Sequence, residues 1–421
     1  MSAQLDSRVR PNGVVLAHPT GNQFFRHLAT ALRDSGRLAS LLTCVDWRSA
    51  AWNRWLPRGV AAELGRRNFS RALQVPVATH PFREGARLAA GRLGLGALTR
   101  HETGPFSVDA VYQDFDRWVA RRLAREPAAG IAYAYEDAAE AIFTEAGRLG
   151  WLRAYDLPIL YADSSRRLLE EEALRHPDWE PTLVGTRDSA QKTERKRREL
   201  ELADVVVCPS NVVAASLPDD VRERKRVVVA PFGSPEPGPP PAPRTPGGPL
   251  RVLFAGSMTQ RKGLADLFDA VRLLRRSDVE LIVLGSLISD PEFYRRKGGS
   301  FTHEPPRPHA ELLAFMRGCD LLCLPSIVEG RALVVQEAMS QGLPVLVTPQ
   351  TGADDVVAEG ISGFVVPMRD PRSIAEKLNW CADHRSALPG MGREARAAAA
   401  QWTWAGYGAR VLAALDAIPS Y

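Results

Sequence analysis

Two doubly wound α/β domains, each on a parallel sheet, are the architecture this sequence predicts. Three observations lead there. Short apolar runs, mostly four to six residues long and rich in Val, Leu and Ile, recur along the chain. Runs that are apolar on both faces suit a parallel sheet covered by helices on each side. Longer amphipathic stretches, such as residues 263–276 and 310–318, separate them, and strand alternating with helix is the doubly wound pattern. The third observation is residues 235–249, PEPGPPPAPRTPGGP, where eight of fifteen residues are Pro. Such a stretch neither joins a sheet nor continues a helix, so it reads as a linker. It separates a Rossmann-like domain over 1–234 from a second over 250–400.

In the first domain the strand candidates are residues 14–17, 40–45, 130–135, 157–162, 204–209 and 226–231. In the second they are 251–256, 280–285, 321–325, 344–348 and 363–367. Residues 47–101 break the rhythm, with ten Arg, three Trp (Trp47, Trp52, Trp55) and only two acids, Glu63 and Glu84. They read as a helical excursion with solvated arginines, or as a basic amphipathic surface facing an acceptor or a bilayer.

Composition narrows the classes. Basic residues number 54 against 49 acidic, a net charge of +5, and all but six of the basic residues are Arg. So small an excess calls for no nucleic-acid partner and does not favour peripheral membrane contact. No window approaches 18 apolar residues, and MSAQLDSRVRPNG lacks the apolar core of a secretion signal, so a cytoplasmic location is expected. The five cysteines are scattered; Cys319 and Cys323 lack a second pair to complete a zinc site, so buried free thiols are expected. The oligomeric state stays open.

Ligands of doubly wound sheets sit beyond the carboxyl ends of the strands. The most informative such segment is LLCLPSIVEGRALVVQEAMSQG, residues 321–342. A buried strand ends at Pro325, a short loop follows, and a helix is expected from near Arg331. Its first turn offers backbone N–H groups and a partial positive charge, suited to a phosphate. Glu329 in the loop and Glu337 two turns on place a carboxylate at each end of an extended ligand, roughly 12 Å apart at full helical rise. Carboxylates accept hydrogen bonds from hydroxyls, so a diphosphate with hydroxyls at both ends fits, and a nucleotide sugar is such a molecule. The second segment is RVLFAGSMTQRKG, residues 251–263, where Arg261 and Lys262 follow a strand. Two cations there would neutralise a diphosphate and stabilise it as a leaving group.

Together these segments resemble the family 4 glycosyltransferases, the retaining group of the GT-B superfamily. The resemblance covers most of residues 250–410, carried by EGRALVVQEAMSQGLPVLVT and TGADDVVAEGISGFVVPMRDP. It implies two Rossmann-like domains facing a cleft, the first binding the acceptor and the second the nucleotide sugar. QWTWAGYGARVL resembles a final segment, within 401–421, that crosses back onto the first domain. The implied reaction is transfer of a sugar from a UDP- or GDP-sugar to an acceptor, with no cofactor or metal. Glu329 would contact the donor sugar, Glu337 the ribose, the backbone at Gly330, Leu333 and Val334 the diphosphate, and Lys262 the diphosphate oxygens. Ser257 stands where the family usually has Arg, so either Arg261 supplies the charge or the diphosphate is held more weakly. His303, with Thr302, falls near where the family borders the base.

The first half resembles the family more weakly. VVLAHPTGNQFFRHLATAL puts Gly21 and Asn22 at the glycine-containing loop, as donor contacts or simply a turn and cap. IAYAYED puts Tyr135 and Glu136 where many members carry His-Glu. A phenol is a poor base at neutral pH. Either Glu136 or Asp137 positions the acceptor, or no side chain is a strong base and the leaving diphosphate takes the proton. Asp163 is expected at the same cleft edge. Asp114 and Asp116 imitate a metal-binding Asp-x-Asp but fall inside a helical stretch. A small metabolite is the expected acceptor. A polysaccharide or lipid-linked acceptor, a phosphorylase, and a non-catalytic nucleotide-sugar-binding subunit are the alternatives.

Overall fold

The structure, a computed structural model, describes residues 12–47, 65, 67–75, 77–126, 128–239 and 248–416. Trp52 and Trp55 of the basic segment, and residues 240–247 of the proline-rich stretch, lie outside the described residues.

Seven parallel strands build the first sheet in the order β3-β2-β1-β4-β5-β6-β7. They are β1 (Gly13–Ala17), β2 (Leu38–Thr43), β3 (Val77–Thr79), β4 (Ala129–Tyr135), β5 (Leu152–Asp156), β6 (Val205–Cys208) and β7 (Arg226–Val229). Six more form the second, in the order β10-β9-β8-β11-β12-β13. These are β8 (Leu250–Ala255), β9 (Val279–Leu284), β10 (Thr302–Glu304), β11 (Leu321–Leu324), β12 (Val345–Val347) and β13 (Gly363–Val365). The strand order reverses between β1 and β4 in one sheet and between β8 and β11 in the other. Those two points are where loops diverge and leave room for ligands.

Eight helices matter for the site: α1 (Gln23–Asp34), α2 (Val108–Leu123), α3 (Ala162–Arg175), α4 (Ala190–Leu202), α5 (Leu264–Leu274), α6 (His309–Met316), α7 (Leu333–Ser340) and α8 (Trp404–Asp416). Helix α1 shows how sequence sets them. Asn22 caps it by accepting from the Phe25 N–H at 2.9 Å, and Phe24, Phe25, Leu28, Ala29 and Leu32 form one buried stripe. Helix α8 packs against α1, so closely that a Cβ on Gly408 would lie 2.5 Å from the Ala31 methyl.

Three strand expectations change. The fifth strand is Leu152–Asp156 rather than residues 157–162. The Leu157 N–H makes one last bond to the Val207 carbonyl at 3.0 Å, and Pro158 then has no N–H to continue. Arg153 is tolerated in the strand because Asp204 binds its guanidinium at 2.6 and 2.9 Å. β3 and β10 are three-residue edge strands without an apolar run, so the hydrophobic pattern passes over them.

The second-sheet core takes in one residue from the first half of the chain, Trp179, buried against Phe268, Phe293 and Tyr294. Conversely Ile327 and Val328, from the loop after β11, are buried in a core of the first sheet. All five cysteines are buried and free. Among the described residues no helix is long and apolar enough to cross a membrane.

Candidate active site

A cleft of about 660 Å³ opens between the two sheets, lined by the loops that follow β4, β5, β8, β9 and β11. On the second-sheet side, Gly256 closes β8 with φ +148°, and a Cβ there would lie 2.9 Å from the Lys262 stem. Glycine at this position therefore lets Lys262 lie across the strand end. Gln260–Lys262 forms a 3-10 turn. The Arg261 carbonyl accepts from the Ile327 and Val328 amides at 2.8 and 3.2 Å, which zips this turn to the loop after β11.

Both cations meet Glu329. Lys262 is ion-paired with one carboxylate oxygen, and Arg261 approaches the other at 3.2 Å. Burial opposes ionisation of Glu329, but Lys262 and Arg261 outweigh it and hold its pKa below the ordinary value. Burial pulls the Lys262 pKa down, with Glu329 only partly restoring it. Gly330 follows with no room for a side chain, since a Cβ would fall 1.6 Å from the Pro158 carbonyl oxygen across the cleft.

Helix α7 begins at Leu333, near Arg331 as the sequence predicts. The Arg331 side chain is fully buried. It bonds Gln336 at 2.7 Å, Asp355 and the Gly352 carbonyl at 2.9 Å, and lies over Trp402. The Ala332 amide bonds the Thr351 carbonyl at 2.8 Å. Leu333 and Val334 thus form the first turn and line the cleft together with Ser257, Gly330 and Glu337. Glu337 is 9% exposed and takes a 3.0 Å contact from His309 Nε2, at the start of α6. That bond raises the His309 pKa.

Facing them, Tyr135, Glu136 and Asp137 line the cleft after β4. Asp137 has φ +70°, and Glu199 from α4 holds this turn by accepting from the Asp137 and Ala139 amides at 2.9 and 3.1 Å. Lys196 contacts Glu136 at 3.0 Å, and Arg195 contacts Asp137 at 3.0 Å. Burial raises the Glu136 pKa despite Lys196; for Asp137, burial is outweighed by Lys196, Lys192 and Arg195, and its pKa falls.

Four sequence-predicted residues lie elsewhere. Asp163 is exposed on the first turn of α3 and pairs with Arg197 at 3.1 Å, because the strand expected before it is a loop. Gly21 abuts Phe69, and Asn22 is spent capping α1; neither lines the cleft. His303 sits on edge strand β10 with Nε2 2.9 Å from the Gly285 carbonyl, so it touches a lining residue without lining the cleft. The Asp-x-Asp pair is structural: Asp116 accepts from the Ala141 and Ile142 amides, and Asp114 contacts His80 at 2.8 Å. Conversely, Phe24, Tyr112, Ile159, Phe232 and Arg307 line the cleft without having stood out in the sequence. They come from separate elements and share no local motif.

Similarity to known proteins agrees with this geometry. Residues 249–384 match the family described as Glycosyl transferases group 1. The chain is 30% identical over 166 residues to D-inositol 3-phosphate glycosyltransferase of Paenarthrobacter aurescens (strain TC1), covering 37% of this chain and 41% of that one. It thus spans well under half the length of such curated relatives. Sucrose-phosphate synthase from Thermosynechococcus elongatus superposes with a TM-score of 0.63 at 16% identity, over 96% of this chain and 98% of that one. Anabaena HepE in complex with UDP-glucose superposes with a TM-score of 0.58 at 16% identity, over 96% and 99%. Two facing doubly wound domains, with a cleft between the ends of their strands, make this a GT-B fold. Residues 249–384, the second of these domains, carry the match to the Glycosyl transferases group 1 family.

Proposed function

We propose that this protein moves a sugar, with retention, from a nucleoside diphosphate sugar to the hydroxyl of a small acceptor. The observation that carries the reading is the convergence of Arg261, Lys262, Glu329, Glu337 and the first turn of α7 on one cleft. The diphosphate lies at that turn, against the Leu333 and Val334 amides, where the helix end favours an anion. Lys262 and Arg261 turn from Glu329 to the diphosphate oxygens. Glu329 is thereby freed to accept hydrogen bonds from the donor sugar, and Glu337 accepts from the ribose.

As the bond from the anomeric carbon to the diphosphate breaks, negative charge grows on the leaving oxygen. The two cations stabilise it. The acceptor oxygen forms its new bond from the same face, and its proton passes to the departing diphosphate. Glu136, buried and paired with Lys196, positions the acceptor hydroxyl rather than serving as a strong base. HepE, whose structure holds UDP-glucose, makes that donor the first to try.

Lys262→Ala and Glu329→Ala are each expected to cut UDP-glucose turnover by about a hundredfold or more, in line with losing a group that stabilises the leaving charge. Turnover is read as UDP release. Normal turnover in both variants would place the donor elsewhere. Tight nucleotide binding without any turnover would favour the non-catalytic subunit.

A further inference from the structure

The first-sheet lip of the cleft carries an apolar wall that the donor chemistry leaves unused. Phe24 and Phe232 stack with centroids 4.6 Å apart and planes 7° from parallel. Tyr135 stacks on Phe24 at 6.2 Å, and Tyr112 meets Tyr135 edge-on at 6.3 Å. Ile159 and Val108 also line it. Val108 is 48% exposed at the first position of α2, just after the capping Ser107.

Charge is distributed unevenly across the cleft. Its lining cations Arg261, Lys262, Arg307 and Arg331 all belong to the second-sheet side. Among the described residues, the first-sheet lip contributes only the acids Glu136 and Asp137 as charged lining groups. A phosphorylated acceptor would bring its negative charge against those two carboxylates. Among the described residues it would meet no lining cation on that lip, since Lys196 and Arg195 behind it are already paired with the two acids, and a buried charge needs a partner.

The geometry points to an uncharged acceptor with an apolar ring face, an aryl or cyclic hydroxyl compound rather than a phosphorylated polyol. This rests on the glycosyl-transfer reading above. The ring packs against Tyr112, Tyr135 and Ile159, and the hydroxyl donates to Glu136 or Asp137. Offset or edge-on contact with aromatic side chains adds to the burial of the ring itself. The reaction is otherwise unchanged. The acceptor oxygen gains the anomeric carbon, the diphosphate loses it, and the acceptor proton leaves with the diphosphate.

The test uses the full chain and starts with calorimetric titration by UDP and by GDP. If neither binds, the glycosyl-transfer reading falls and this inference falls with it. With the bound nucleotide at saturation, phenyl β-D-glucoside is expected to bind at least about tenfold more tightly than inositol 3-phosphate. Tyr112→Ala is expected to weaken phenyl glucoside about tenfold and Val108→Ser about threefold. Val108 is exposed, so its variant keeps the test open should Tyr112→Ala fail to fold. Equal or tighter binding of inositol 3-phosphate overturns the acceptor class. So does undetectable phenyl glucoside binding, or affinity unchanged in the folded variants. In each of those cases nucleotide binding leaves the glycosyl-transfer reading standing.

Discussion

A ribose that takes Glu337 is expected to displace the His309 imidazole, 3.0 Å away. The Glu337 bond raises the His309 pKa, so the free protein holds that proton more firmly than the complex does. Between the ordinary value of 6.5 and the raised one, donor binding expels a proton, and affinity rises with pH through that window. Lys262 acts with the opposite sign. Burial lowers its pKa, and an arriving diphosphate raises it again, so at alkaline pH binding takes up a proton. UDP-glucose affinity is therefore expected to follow a dome in pH, with proton release on the acid limb and uptake on the alkaline limb. Calorimetry in buffers of different ionisation enthalpy reads both. A flat acid limb would mean that His309 stays on Glu337 in the complex. Glu329, Glu337, Arg261 and Lys262 were legible because each follows a recognisable strand or sits at helical spacing from one that does. His309 was not, for it lies on another helix, and the contact exists only once the chain has folded.

Gln260 shows the same contrast at the level of whole elements. Its side chain is completely buried. Nε2 donates to Glu172 at 2.7 Å and to Asp266 at 2.9 Å, and Oε1 accepts from the Ala265 amide at 2.8 Å. Its own amide donates to the Thr182 hydroxyl at 3.1 Å. Glu172 is on α3 and Thr182 on the 3-10 turn after it, so elements that precede the linker brace the turn that carries Arg261 and Lys262. Arg175 and Arg369 complete the brace around Glu172 and Asp266. Removing the amide would leave two buried carboxylates short of a donor, a loss of about 1.5–3 kcal/mol for hydrogen bonds to charged groups. Gln260→Ala is expected to lower the melting temperature and to weaken UDP-glucose about tenfold, through a shifted turn. A lower melting temperature with unchanged affinity would confine the brace to stability. Strands with apolar runs announced themselves, but β5 did not. Its Arg153 is acceptable only because Asp204 pairs with it, 51 residues later.

At the scale of the molecule, the two sheets are joined by crossings that support one another. The chain leaves the first sheet at β7, and the Phe232 carbonyl accepts from Gln336 of α7 at 2.9 Å. The Ser234 amide then bonds the Trp402 carbonyl at 2.8 Å, tying the outgoing chain to the returning one. Helix α8 next delivers Tyr407 into the first-sheet core, against Phe232. There Tyr133 and Tyr407 lie beside Asp156, and Glu136 adds a like charge. Burial raises the Asp156 pKa from 3.8 to about 8. The folded chain thus keeps a proton that the unfolded chain surrenders above about pH 4. The stabilising effect of that proton is complete below the unfolded value and is lost as pH rises to about 8. Glu199, also raised to about 8 by burial, contributes with the same sign, whereas the lowered carboxyls Asp137 and Glu329 contribute oppositely. Total stability therefore cannot isolate Asp156, but a difference between variants can. Asp156→Asn keeps the shape and has no proton to lose. Its melting temperature relative to the native chain is expected to climb by several degrees from about pH 4 to about pH 8 and then level off. Parallel melting curves across that range would show that Asp156 is not held neutral beneath the returning helix.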